Sequence, residues 1–124
     1  MKLTKYYGFQ LSEKIQNLEL TSEIVLETYL KNIKKINPSL NAIVSLKNSH
    51  HLLENCKKID DIRKKGKKLK PLAGLPIAVK DLEETKDILT TYGSQIYSNY
   101  QPTKDSPMVE NLRNSGLVII GKTN

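Results

Sequence analysis

The sequence predicts an α/β fold, and three observations carry the prediction. Two short, continuous apolar runs, residues 75–79 (Leu-Pro-Ile-Ala-Val) and 117–120 (Leu-Val-Ile-Ile), read as buried strands. A helix-like stretch opening at Pro107 lies between them, which makes the two strands a parallel pair joined by a crossover. Upstream, apolar residues recur at helical spacing in two separate stretches. Strands of this kind need cover on both faces, and the sequence stops at Asn124 with no helix after the last strand. The expectation is therefore the beginning of a larger α/β domain, with residues 117–120 uncovered and prone to aggregation.

The elements follow in order. A short helical turn is expected over residues 11–15. Thr21 or Ser22 reads as the N-cap of a longer helix, with Glu23 placed early against its dipole. Val25, Tyr29, Ile33 and Ile36 then recur on one face, and Leu26 and Leu30 widen the stripe. Asn37-Pro38 should close this helix, because the residue before a proline disfavours the α region. Residues 40–46 read as a strand. A second helix over about 48–65 presents Leu52, Leu53, Cys56, Ile59 and Ile62 on one face and stops at Gly66. Residues 67–70 read as a charged linker. Beyond the strand at 75–79, residues 81–100 are loop-rich, with Thr90-Thr91-Tyr92-Gly93-Ser94 at their centre. Pro107 suits the first turn of a helix begun by Asp105 or Ser106, with Met108, Val109 and Leu112 as its apolar side and Gly116 as its stop.

Lys80 is the candidate functional residue that this layout isolates. It finishes the 75–79 run and is followed by Asp81. A lysine there has its stem toward the core and its amine at the C-terminal edge of the sheet, where open α/β sheets bind ligands. Burial would disfavour its ammonium form and make it a usable base. The plainer alternative is a lysine that snorkels to solvent at a strand end.

Composition narrows the function classes. The chain has 124 residues, room for one small domain. Its apolar content is 38%, against ~45–50% in typical globular domains, so the core is expected to be thin. No apolar stretch approaches the ~20 residues of a membrane helix, and the N-terminus lacks the long apolar segment of a secretory signal. One cysteine, Cys56, cannot pair within the chain, which fits a reducing compartment. The net charge of +7 is local. Residues 57–70 hold eight basic and two acidic side chains, +6 in total, which leaves the other positions almost neutral.

From Pro71 onward the sequence resembles the amidase signature family. The residues that carry the likeness are Pro71-Leu72-Ala73-Gly74-Leu75-Pro76-Ile77-Ala78-Val79-Lys80-Asp81 and Thr90-Thr91-Tyr92-Gly93-Ser94. Asp105, Val109, Leu112-Arg113, Gly116 and Ile119-Ile120-Gly121-Lys122-Thr123-Asn124 follow in the same order. Upstream, Thr21-Ser22-Glu23-Ile24-Val25 and Asn37-Pro38-Ser39-Leu40-Asn41-Ala42 look like the family's N-terminal helix and the turn after it. The likeness implies helices packed on a mixed, partly parallel sheet, present here only in its N-terminal portion. The chain then divides into an N-terminal segment (1–20), a helix–strand–helix unit (21–66), the basic linker (67–70) and the start of the amidase core (71–124).

The resemblance also implies a reaction: cleavage of a carboxamide C–N bond by a serine, a second serine with a cis peptide bond, and a lysine. By resemblance Lys80 is that lysine, accepting a proton through the bridging serine while the nucleophilic serine attacks the carbonyl. Both serines belong to a Gly-Gly-Ser-Ser-Gly-Gly-like stretch, and the six glycines here are never adjacent. Ser94 and Ser106 are not substitutes by motif position; Ser94 is expected in a loop near the pocket. The implied picture is a catalytically incomplete, cytoplasmic piece of an amidase. It needs no cofactor and acts on a small amide once the serines are supplied, from a second chain if the enzyme is split. Within the family, the residues around Thr90 to Ser94 look more like a general amidase than the A component of glutamyl-tRNA amidotransferase. Departures occur at Asp87-Ile88, Ser106-Pro107 and His50-His51, none of which touches Lys80.

Three rival signals are weaker. Gly116 and Gly121-Lys122-Thr123 have phosphate-loop spacing, but the residues between them are apolar and no helix follows. His50, His51 and Cys56 contain metal-ligating groups, yet adjacent helical histidines diverge by about 100°. The basic segment 57–70 suggests a small nucleic-acid-binding module, a reading disfavoured by the lack of interleaved aromatics.

Overall fold

The computed structural model describes residues 2–124. A 3-10 turn, Leu3–Lys5, leads into α1 (Gly8–Gln16), whose first turn is closed by Gln10 Oε1 accepting from the Tyr7 N–H at 2.9 Å. This is a full helix where the sequence suggests only a turn over residues 11–15. Leu11 and Ile15 seat it on Leu3, Leu20, Val25 and Leu75.

Helix α2 (Ser22–Leu40) begins as the sequence indicates, with Thr21 Oγ1 accepting from the Ile24 N–H at 3.1 Å. Its second cap comes from far along the chain. Asp60 is buried in α3 (Ser49–Lys64), and its carboxylate accepts from the Ser22 N–H at 2.7 Å and the Glu23 N–H at 3.2 Å. The expected stop at Asn37-Pro38 is overturned, because α2 runs through Pro38 to Leu40 and ends at Asn41, whose φ is +50°. The Asn37 side chain explains the extension. It accepts from the Ile43 N–H at 2.8 Å and donates to the Ile43 carbonyl at 2.9 Å, which holds the last turn against the strand that follows.

That strand is β1 (Ile43–Leu46); β2 (Pro76–Lys80) and β3 (Val118–Thr123) complete a sheet of order β1-β3-β2. The crossover prediction holds: β2 and β3 are parallel, connected through α4 (Pro107–Asn114). Ser106 caps α4, accepting from the Val109 N–H at 3.4 Å. The antiparallel pairing of β1 with β3 makes the sheet mixed.

The expectation that residues 117–120 lie uncovered is wrong. The run belongs to the middle strand and is enclosed on both faces. Val118 and Ile120 pack with Leu26, Leu52 and Cys56 of the helical layer, while Ile119 packs with Val79, Ile88 and Val109. Cover for the second face comes from α4 and the loop before it, elements that precede the strand in sequence. β3 also runs on through Gly121-Lys122-Thr123, which places those residues in extended structure and removes the phosphate-loop reading. Gly121 is needed there, since a Cβ would collide with the Ser45 carbonyl oxygen of β1.

The 67–70 linker is likewise tied down. Gly66, at φ +75°, lets α3 end in a Schellman turn: the Gly66 N–H donates to the Arg63 carbonyl at 2.9 Å and the Lys67 N–H to Ile62 at 3.3 Å. The chain reverses, Leu69 enters the core, and Gln16 Nε2 donates to the Lys70 carbonyl at 3.1 Å.

Candidate functional site

The parallel pair β2 and β3 delivers Lys80 and Thr123 side by side at the C-terminal edge of the sheet. Side chains alternate along a strand, so Lys80 points away from the buried Val79 and shares its side with Ala78. It is exposed. The burial expected of this lysine is therefore not found among the described residues; a different lysine is buried.

That lysine is Lys122, the largest fully buried side chain among the described residues, at 0% exposure. It leaves β3 toward the loop after β2. Its amine donates to the Glu83 carbonyl, to Thr85 Oγ1 at 2.6 Å and to Thr90 Oγ1 at 3.3 Å. The two hydroxyls are oriented to accept, because Thr85 donates to the Glu83 carbonyl at 3.0 Å and Thr90 to the Ile88 carbonyl at 3.2 Å. Burial holds the Lys122 amine below its ordinary value, and the charges of Asp81, Glu83 and Asp105 partly restore it.

Asp81 anchors the other end of the same loop. It is buried, its N–H donates to the Thr123 carbonyl at 2.7 Å, and its carboxylate accepts from the Thr91 N–H at 3.0 Å and from the Thr91 hydroxyl. Glu84 accepts from the hydroxyls of Tyr92 at 2.9 Å and Tyr100 at 2.8 Å. Burial, then the Glu84 hydrogen bond, pushes the Tyr92 hydroxyl up to about 12. Arg113 of α4 pairs with Asp105 at 2.7 Å, and Asp105 accepts from the Lys86 N–H at 2.7 Å. The loop from Asp81 to Ser106 has a single 3-10 turn, Gln95–Tyr97, and little apolar content to bury. Buried polar anchors give it a fixed shape instead.

Its inner wall meets β1 across a groove of about 380 Å³, lined by Val44, Ser45, Asp81, Thr91, Ser94 and Asn124 among others. Ser94, on this wall, caps the 3-10 turn by accepting from the Ile96 N–H at 3.3 Å. Ser106 is occupied as a helix cap, and its hydroxyl also donates to Glu83 at 2.7 Å. Lys80 does not line this groove. Sequence reading misses Lys122, Asp81 and Glu84 as anchors. The only local signal is a charged residue inside or next to an apolar strand, which for Lys122 reads as a phosphate-loop feature.

The remaining candidates are dispersed. His50 and His51 are exposed on α3, 3.4 and 3.7 Å from Glu54, while Cys56 is buried on the other side, where burial pushes its thiol up to about 12. No helix among the described residues is long and apolar enough to cross a membrane.

Comparison with known proteins supplies the context for this arrangement. A family model described as Amidase matches residues 24–124. Over all 124 residues the chain is 40% identical to the A component of glutamyl-tRNA(Gln) amidotransferase from Lachnospira eligens, covering 26% of that protein. It is 35% identical to the same component from Caldanaerobacter subterraneus, covering 25% of it. Among solved structures, the native peptide amidase of Stenotrophomonas maltophilia superposes with a TM-score of 0.85 at 29% identity, over 94% of this chain and 24% of that one. The chain thus spans about a quarter of the length of the relatives it matches.

Proposed function

Since the chain belongs to the amidase family, we propose that it contributes the lysine base of an enzyme that cleaves a carboxamide C–N bond. Lys80 is that base. It ends β2 exposed at the sheet edge, and the position supports a role toward groups that lie outside these 124 residues. In that role its amine takes a proton through a bridging serine, as a second serine attacks the amide carbonyl. Backbone N–H groups beside the nucleophile stabilise the oxyanion. The serines, one of them with a cis peptide bond, come from polypeptide beyond this sequence or from a second chain, and these residues alone do not turn over. The substrate is a small carboxamide. The single thiol, Cys56, supports a cytoplasmic setting.

The observation that carries the proposal is Lys80-Asp81 at the end of the parallel strand β2, with Asp81 fixed between Thr123 and Thr91. The test is complementation. The chain is co-expressed with the portion of the Lachnospira eligens protein that follows the matched region, and ammonia release from glutamine and from a peptide amide is measured. The expected result is no turnover by the chain alone, turnover by the pair, and its loss in Lys80→Ala. Turnover by the isolated chain, or a pair indifferent to Lys80→Ala, refutes the assignment.

A second reading is supported by the 40% identity to an amidotransferase component along the entire chain. On that reading the nitrogen is transferred to glutamyl-tRNA(Gln) rather than released. Ammonia appearing in the tRNA-bound product, and not from a peptide amide, distinguishes it.

A further inference from the structure

We propose that the groove between α3 and the returning chain is a docking site for an acidic amphipathic helix of a partner polypeptide. The Schellman turn at Gly66 folds residues 67–70 back along α3, and buried Leu69 fixes them there. Between the two lies a depression of about 370 Å³. Its apolar floor is formed by Ile59, Ile62 and Leu117, and Ile62 is 43% exposed although it sits on the apolar stripe of its helix. Lys68, Lys70 and Arg113 line its rim, and no acidic side chain does. Lys58 and Lys65 fall on the same helical stripe as Ile62 and extend the positive edge, both exposed.

Among the described residues, the ion pairs of this segment involve Lys57 and Lys64, which meet Glu23 and Asp61. Lys58, Lys65, Lys68 and Lys70 are left facing solvent around an apolar strip. An apolar floor with a cationic rim is complementary to a helix with leucine-like residues at i, i+3, i+4 and i+7 and carboxylates beside them. A second copy of this chain would bring the same positive rim and be repelled. RNA fits less well, since the lining holds no aromatic side chain for a base to stack on.

The probe is a fluorescein-labelled synthetic peptide of about 18 residues, with Leu at helical spacing and Glu elsewhere, titrated with the full chain by anisotropy. A scrambled peptide of equal charge, a Lys-for-Glu peptide and a uridine oligonucleotide are titrated in parallel. The amphipathic acidic peptide is expected to bind roughly tenfold or more tightly than its scramble. Ile62→Asp should weaken it by about the same factor, and Lys65→Gln/Lys68→Gln/Lys70→Gln should weaken it and flatten its salt dependence. Circular dichroism checks that each variant keeps its helices; the lysine variant, wholly on the surface, carries the test if Ile62→Asp does not. The proposal is overturned by no binding at about 50 mM salt. It is equally overturned if the scrambled peptide, the Lys-for-Glu peptide or the oligonucleotide binds as well as the amphipathic peptide. Amide turnover is not the readout, so neither result bears on the role of Lys80.

Discussion

Lys122 brings a charge into the interior and meets it with three oxygens, two of them hydroxyls already oriented to accept. Lys122→Met keeps the stem and removes the donor, leaving the buried hydroxyls of Thr85 and Thr90 without the group they accept from. A loss of about 1–3 kcal/mol is expected by urea denaturation. The pH dependence has a definite sign. The folded amine lies below 10.5, so in alkaline solution the unfolded chain binds this proton more tightly than the folded one. Stability gained from this group should rise with pH across that window, and Lys122→Met should lack the rise. Asp105 works in the acid range. Burial pushes its carboxyl up, but the hydrogen bonds from Arg113 and the Lys86 N–H outweigh that and hold it below 3.8. Its contribution is present above the unfolded value and disappears as pH falls through the folded one, so Asp105→Asn should flatten the acid limb of a stability curve. At this scale the sequence is only partly legible. Lys80 at a strand end can be read from an apolar run, but the buried lysine cannot, because which residue of a strand faces a covering loop depends on pairings with no local signature.

Between α2 and α3 the same division recurs. Thr21, Ser106 and Pro107 are readable because a cap and its helix are neighbours in sequence. Asp60 is not, since it caps α2 from another helix. Asp60→Ala should destabilise the protein by about 1–2 kcal/mol, measured by urea denaturation, because it strips two acceptors from a buried helix start. Pro38 misleads for a related reason. The rule against a helical residue before proline is local, and the bonds from Asn37 to Ile43 lie across a turn that the rule does not see. Gly121→Ala should pry β1 from β3, costing about 1–3 kcal/mol through the clash with the Ser45 carbonyl. A heteronuclear spectrum would register it as shifts confined to β1 and the second half of β3.

For the molecule as a whole, the mixed α/β sheet and its parallel crossover are legible from two apolar runs and the helix between them. The antiparallel partnership of β1 is not legible from the residues, and neither is the central position of β3, because order within a sheet is set by contacts between distant segments. Enclosure of β3 on both faces predicts that amide exchange is slowest at Val118, Ile119 and Ile120, and faster in β1 at the sheet's edge. The order β1-β3-β2 has one more implication, for biosynthesis. The flanking strands never touch each other, so neither can find a mate until the stretch from Val118 onward has been translated. As the nascent polypeptide emerges, helices α1 to α3 can condense early, while both outer ribbons wait for a late-arriving common neighbour.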